Sequence, residues 1–230
     1  MWPVDPEGLV AVQHDLADTS AEPWGTPAGE LRIGGCWVCF PRGLTGRGSF
    51  QDQAWAAAVT MTRDVVIDSA VITGVTGAAY VPGLLALRMG PLLEQAVRAL
   101  NRRPDVLLLD AAGRDHPRRA GLAVHLGVVL GVPTVGVTHR ALLAEGTWPD
   151  DRRAATSPLR IGDEVVACWL RTRPGTRPVV VHPGWRIDLG TAVEVVTGAT
   201  AGRRTPEPLR CARRLARRAR AAPAGPDVSA

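Results

Sequence analysis

Three strand-length apolar runs, at residues 31–40, 54–62 and 64–75, dominate the first third of this chain. Only turn-forming residues separate them. Pro41–Ser49 reads as an exposed turn and Arg63–Asp64 as a tight hairpin. Such a succession predicts an antiparallel unit. The period then changes. Residues 91–100 carry helical spacing, 105–110 (DVLLLD) form a buried strand, 117–131 are helical, and 133–137 form another strand. Strands alternating with helices predict parallel pairing. Residues 163–170 and 178–182 add strands, and Thr191–Thr197 a helix. The expected fold is therefore α/β: a mixed sheet, three antiparallel strands and then parallel ones, with helices on both faces. Residues 1–25 form an N-terminal helix around Leu9–Leu16 and a loop. Residues 26–200 form the core, 201–222 a basic helix, and 223–230 a disordered tail.

The net charge is +5, and all 27 basic residues are arginine. Arginine pairs bidentately with phosphate, so a polyanionic partner is permitted. The charge gathers at the C-terminus, where Arg203, Arg204, Arg210, Arg213, Arg214, Arg217, Arg218 and Arg220 are opposed only by Glu207. Leu209, Ala212, Leu215 and Ala216 give that segment a thin apolar stripe. It is either a solvated surface helix or one that contacts phosphates. No apolar run approaches the roughly 20 residues of a membrane span. The start, MWPVDPEGL, lacks the basic and then apolar pattern of a signal peptide. A cytoplasmic monomer is expected. Cys36 and Cys39 form a CxxC inside a strand, where residues three apart face opposite ways, so no metal or redox role is expected of them.

Asp110 ends a buried strand and points either into the crevice where α/β sheets bind ligands or back as a turn cap. Gly113-Arg114-Asp115-His116-Pro117-Arg118-Arg119 follows, with Pro117 suited to a first helical turn whose free N–H groups can hold an anion. Tyr80-Val81-Pro82-Gly83-Leu84-Leu85 joins the two halves. Its tyrosine either packs as an anchor or offers a flat ring to a base.

Several segments together resemble the endonuclease V family. Tyr80–Arg88 is similar to its "YIPG-LL-x-FRE" segment and Asp105–Arg119 to its "vDGHGxxHPRR" segment. Gly131–Val137 resembles "dvPTIGVAK", Pro206–Arg210 resembles "PEPtR", and Gly35–Phe40 resembles "GxDVSF". The resemblance covers residues 8–215. It implies a ribonuclease H-like fold and Mg²⁺-dependent nicking of DNA or RNA next to a deaminated base such as inosine. It makes Tyr80 and Pro82 a strand-separating wedge and places Gly83, Leu85 and Gly113 near the base pocket. Arg118 and Arg119 become nucleic-acid contacts, and Asp110, His116 and His139 the catalytic candidates.

The chain departs from that pattern where the chemistry is most demanding. The family's first metal-ligand Asp is Trp37, and its Glu after the FR pair is Met89. His139 replaces a lysine, Ala111-Ala112 replaces Gly-His, and Trp185 replaces a later histidine. Mg²⁺ prefers hard oxygen ligands, which an indole and a thioether do not supply. Trp37 is expected to fill the metal's space, leaving Asp110 to bind it weakly if at all. Asp52, Glu94 and Asp115 are the acids that could substitute. Three readings follow: a nucleic-acid-binding protein with lost or impaired catalysis, an active nuclease with a rearranged metal site, or an interaction protein using a crevice made apolar by Trp37, Met89 and Trp185.

Overall fold

A computed structural model describes residues 2–43 and 48–222. The tail expected at 223–230 and the middle of the turn expected at 41–49 lie outside the described residues. The chain runs α1 (Pro6–Asp18), β1 (Arg32–Cys39), β2 (Gln53–Thr62), β3 (Val65–Val75), α2 (Leu85–Arg98), β4 (Val106–Leu109), α3 (Leu122–Leu130) and β5 (Thr134–Thr138). It continues with β6 (Thr156–Ile161), β7 (Glu164–Leu170), β8 (Val179–Pro183), α4 (Leu189–Gly198) and α5 (Glu207–Ala221).

One eight-stranded sheet runs in the order β3-β2-β1-β4-β5-β8-β7-β6. The hairpin at Arg63–Asp64 forms as read, with Arg63 at φ 52° in the left-handed region. β3 ends the sheet and only half-buries its inward-facing residues, whereas β2, covered on both faces, is buried from Ala56 to Thr62. β1, β4 and β5 are parallel and place their C-terminal ends side by side. Parallel pairing stops there: β8, β7 and β6 return antiparallel, unlike the parallel continuation expected after the opening unit. β6 escaped the sequence reading because TSPLRI has neither a continuous apolar run nor clean alternation. As an edge strand it tolerates Pro158.

Helices cover both faces. α1, α2 and α3 close one side over Cys36, Val38, Leu107 and Leu109. α4 and the start of α5 close the other over Val106, Leu108, Val135 and Val181. Strand alternation explains why neighbours in β4 belong to different cores. α5 comes so close to β1 that a Cβ at Gly35 would run into the backbone of Pro208. Leu108 has no exposed surface. Leu108→Ala leaves a cavity that β4, hydrogen-bonded on both sides, cannot close. A loss of about 3 kcal/mol in denaturant unfolding is expected.

Two helix starts differ from the sequence expectation, and both matter for the site. α2 begins at Leu85, not 91, and holds Pro91 in its interior. Pro91 has no N–H for the Leu87 carbonyl. That carbonyl instead lies against Gly77, where any Cβ would collide with it. Arg88 and Met89 are thereby helical. α3 begins at Leu122, not 117, with Gly121 as N-cap. Arg119, at φ 55°, breaks a helix that would start at Pro117. The Ala123 N–H bonds the Ala112 carbonyl at 3.1 Å, so the anion-binding helix start expected at Pro117–Arg119 does not form.

Candidate functional site

Val81-Pro82-Gly83-Leu84 is a tight turn closed by the Leu84 N–H on the Val81 carbonyl at 3.0 Å. Proline fixes the first central residue, and Gly83, at φ 78°, supplies the left-handed second one. The turn lifts Tyr80 and Val81 into solvent, 40% and 44% exposed. Such exposure of large apolar side chains on a rigid loop needs support beneath it. Three donors converge on the Gly83 carbonyl: Gln13 Nε2 at 3.2 Å, Arg118 Nη2 at 2.8 Å and His116 Nε2 at 3.2 Å. Arg118 Nε also donates to Gln13 Oε1 at 2.6 Å. His116 Nδ1 accepts the Arg118 backbone N–H at 3.2 Å, which fixes the proton on Nε2. Burial, and then the Arg118 charge, press the His116 pKa down to about 4. A cavity of about 100 Å³ lies behind the loop, lined by Tyr80, Gly83, Leu85, Ala112, His116 and Leu122 among others.

On the other side of Leu85 a second cleft of about 340 Å³ opens, bounded by Trp37, Phe40, Met89, Leu93 and Asp110. The β1/β4 register pairs Cys36 with Leu109, so Trp37 and Asp110 follow as neighbours at the two strand ends. Asp110 reaches solvent through the cleft, but protein on its other sides raises its pKa to about 6, with Arg213 pulling the other way. The indole of Trp37 does not fill the space as expected. It leans toward α5, among Cys211, Ala212 and Leu215, and the Arg213 guanidinium lies 5.3 Å above its ring. His139, exposed just past β5, is held below its ordinary pKa by desolvation, then by Arg204 and Arg213.

The candidate substitute acids are each committed elsewhere. Asp52 accepts Arg88 Nη2 at 2.7 Å and the Ser49 N–H at 2.6 Å. Glu94 accepts Trp2 Nε1 at 2.6 Å and Arg98 Nε at 2.7 Å. Asp115 is fully buried and accepts three backbone N–H groups, from Leu142, Leu143 and Ala144. Among the described residues no group of three His, Cys, Asp or Glu could hold a metal ion. One carboxylate facing a thioether and an indole does not fit Mg²⁺.

Gly113 does not line the cavity; its Cα is pressed against the Pro183 carbonyl, and its neighbour Ala112 lines it instead. Arg119 turns away to Glu164, 3.3 Å distant. Trp185 is not in the crevice. It packs against Gly127 of α3 and Thr134, at the far end of β5, because β8 runs antiparallel to β5. Cys36 and Cys39 do face opposite sides, their thiols near the Leu108 and Ala216 carbonyls. Sequence reading missed Gln13, Arg88 and Arg213. Arg88 is 3% exposed and binds the Ser49 and Ala78 carbonyls at 2.7 and 2.8 Å beside its Asp52 pair, which ties the start of the Tyr80 loop to the segment before β2. The missed contacts link residues far apart in sequence, and no local pattern marks them.

A mixed sheet with three parallel central strands, helices on both faces and a carboxylate at the strand ends is a ribonuclease H-like frame. Comparison with known proteins narrows this. The family model described as Endonuclease V matches residues 36–214. The endonuclease V of Streptomyces coelicolor is 38% identical over 95% of this chain and 92% of its own length. That of Nocardia farcinica is 43% identical over 74% of this chain and 78% of its own. The crystal structure of the Streptomyces avermitilis endonuclease V superposes with a TM-score of 0.84 at 37% identity, over 95% of this chain and 94% of that one. The chain belongs to the endonuclease V family.

Proposed function

We propose that this protein binds nucleic-acid strands that are single or distorted, including those with a deaminated base, and that phosphodiester cleavage is lost or strongly impaired. The observation that carries the reading is one cleft with unequal inheritance. The raised Tyr80 loop and its cavity are built and braced, while Asp110 faces Met89 and Trp37 where two further carboxylates would be needed. Tyr80 and Pro82 act as the wedge, and Gly83 and Leu85 bound the space for an unstacked base. His116 and Arg118 position the loop through the Gly83 carbonyl. With the donor set unsuited to Mg²⁺, no step is assigned to a metal. His139 stands near the strand ends as a donor to phosphate when protonated.

The test pairs binding with cleavage. Fluorescence anisotropy on an inosine-containing single strand should show binding that weakens with salt. A nicking assay with excess Mg²⁺ or Mn²⁺ should show no product. A metal-dependent nick abolished by Asp110→Ala would instead establish an active nuclease with a rearranged site. Absence of binding at low salt would sink the proposal. Tyr80→Ala should weaken binding about tenfold, the worth of one stacked base, without moving the unfolding midpoint.

The open 340 Å³ cleft also supports a second reading, an interaction protein that takes a partner's apolar side chain between Met89, Leu93 and Phe40. Strand binding that competes with no such partner, and depends on Tyr80, decides for the first.

A further inference from the structure

The arginines of α5 fall on one face. Cys211, Ala212 and Ala216 bury the other against β1 and β2, and Leu209 joins the core over β4. The outward face carries a groove of about 440 Å³ lined by Arg210, Arg213, Arg214, Arg217 and Arg218. Arg210 pairs with Glu207, but Arg213, Arg217 and Arg218 have no carboxylate partner among the described residues. Unneutralised arginines side by side repel one another and attract a polyanion. Arg213 is set apart by its seat. Its guanidinium lies over the Trp37 ring, on the residue that follows Cys36 in register beside Asp110. An indole face holds a guanidinium by cation–π attraction and leaves its N–H edges free. This corner of the cleft therefore sets an aromatic side chain beside Asp110 with a fixed cation on top of it.

We propose that Arg213, carried on Trp37, supplies the positive charge of this cleft and holds a backbone phosphate of a strand that continues along the arginine groove of α5, so that binding needs no divalent ion. The inference rests on the nucleic-acid reading above and adds the residue, the path and the metal independence. A phosphodiester is common to DNA and RNA, so deoxyribo- and ribo-strands of one sequence serve as probes.

Anisotropy titrations of the full chain with inosine-containing strands would compare EDTA with Mg²⁺, and wild type with Arg213→Gln, Arg213→Lys, Trp37→Ala and Arg160→Gln. Arg160, on the far edge strand, controls for the loss of one charge anywhere. The expected result is equal affinity in EDTA and Mg²⁺. Arg213→Gln should weaken binding about tenfold, the worth of one charged hydrogen-bonded contact. It should also lower the salt slope by about 0.7, one single-strand phosphate. Arg213→Lys and Trp37→Ala should each recover or retain part of the affinity, and Arg160→Gln should stay within about twofold of wild type, since a distant surface charge contributes little. Unfolding midpoints taken alongside establish that each variant is folded. If the wild type binds but requires Mg²⁺, or folded Arg213→Gln binds like Arg160→Gln, the inference is overturned and the broader reading survives. If the wild type binds neither strand, both fall.

Discussion

Replacing Trp37 with Asp and Met89 with Glu is expected to strengthen divalent-cation binding in the cleft. Both positions already line the same space as Asp110, one at the adjacent strand end and one on α2. Three carboxylates on these elements would supply the hard oxygen ligands that one carboxylate, a thioether and an indole do not. Calorimetric titration with Mn²⁺ should show at least about a tenfold gain in affinity, 1.4 kcal/mol or more. The inosine-strand assay should show a nick only with the double variant. Arg213 opposes the gain, since it would pair with the new carboxylates. Adding Arg213→Gln to the double variant should tighten Mn²⁺ further. A folded double variant that binds Mn²⁺ no better than the natural chain would mean that these three positions do not converge, and would remove the account of lost catalysis.

Acid should destabilise this protein from about pH 6.5 downward, above the range in which ordinary carboxylates titrate. His116, His125 and His182 are 5%, 2% and 0% exposed. Burial lowers the pKa of His116 and His125 to about 4. It also lowers that of His182, against the opposing charge of Asp115. The proton positions agree with neutral rings. Thr138 Oγ1 donates to the Arg140 carbonyl and so accepts from His182 Nε2, leaving Nδ1 unprotonated. For a histidine with a lowered folded pKa, the unfolded chain binds the proton more readily. Its contribution is complete above the ordinary value near 6.5 and is lost as pH falls from there through 4. Each of His116 and His125 should forfeit on the order of 3 kcal/mol across that window, a large share of the stability of a single domain. Asp110 works the other way, gaining stability as pH falls through 6, but it opens to solvent and is one group against three. Denaturant midpoints at pH 7, 5.5 and 4.5 should fall steadily. His125→Gln should flatten the fall, since a ring that does not titrate cannot contribute to it. A flat profile across this range would contradict the buried neutral histidines.

The Tyr80 loop combines local and long-range contacts. Tyr80, Pro82 and Gly83 were legible because turn chemistry is local: a proline fixes one dihedral and a glycine opens the next. Gln13 and Arg118 could not be paired from sequence, since 105 positions separate the two side chains that meet at 2.6 Å. His116 looked like a catalytic candidate for the same reason. Its motif and its bond from the Arg118 N–H are local, but its bond to the Gly83 carbonyl is visible only once the turn is packed against it.

The sequence alone determined the mixed α/β sheet, the opening antiparallel unit and the tight turn at Pro82–Gly83, because strand period, hairpin length and turn chemistry are properties of neighbouring residues. Tertiary structure alone decided that β6–β8 return antiparallel, that Trp185 lies far from the cleft, and that Arg213 rests on Trp37. Each of those depends on which side chains the folded backbone brings together across tens of residues, where burial and charge act through space and no spacing rule applies.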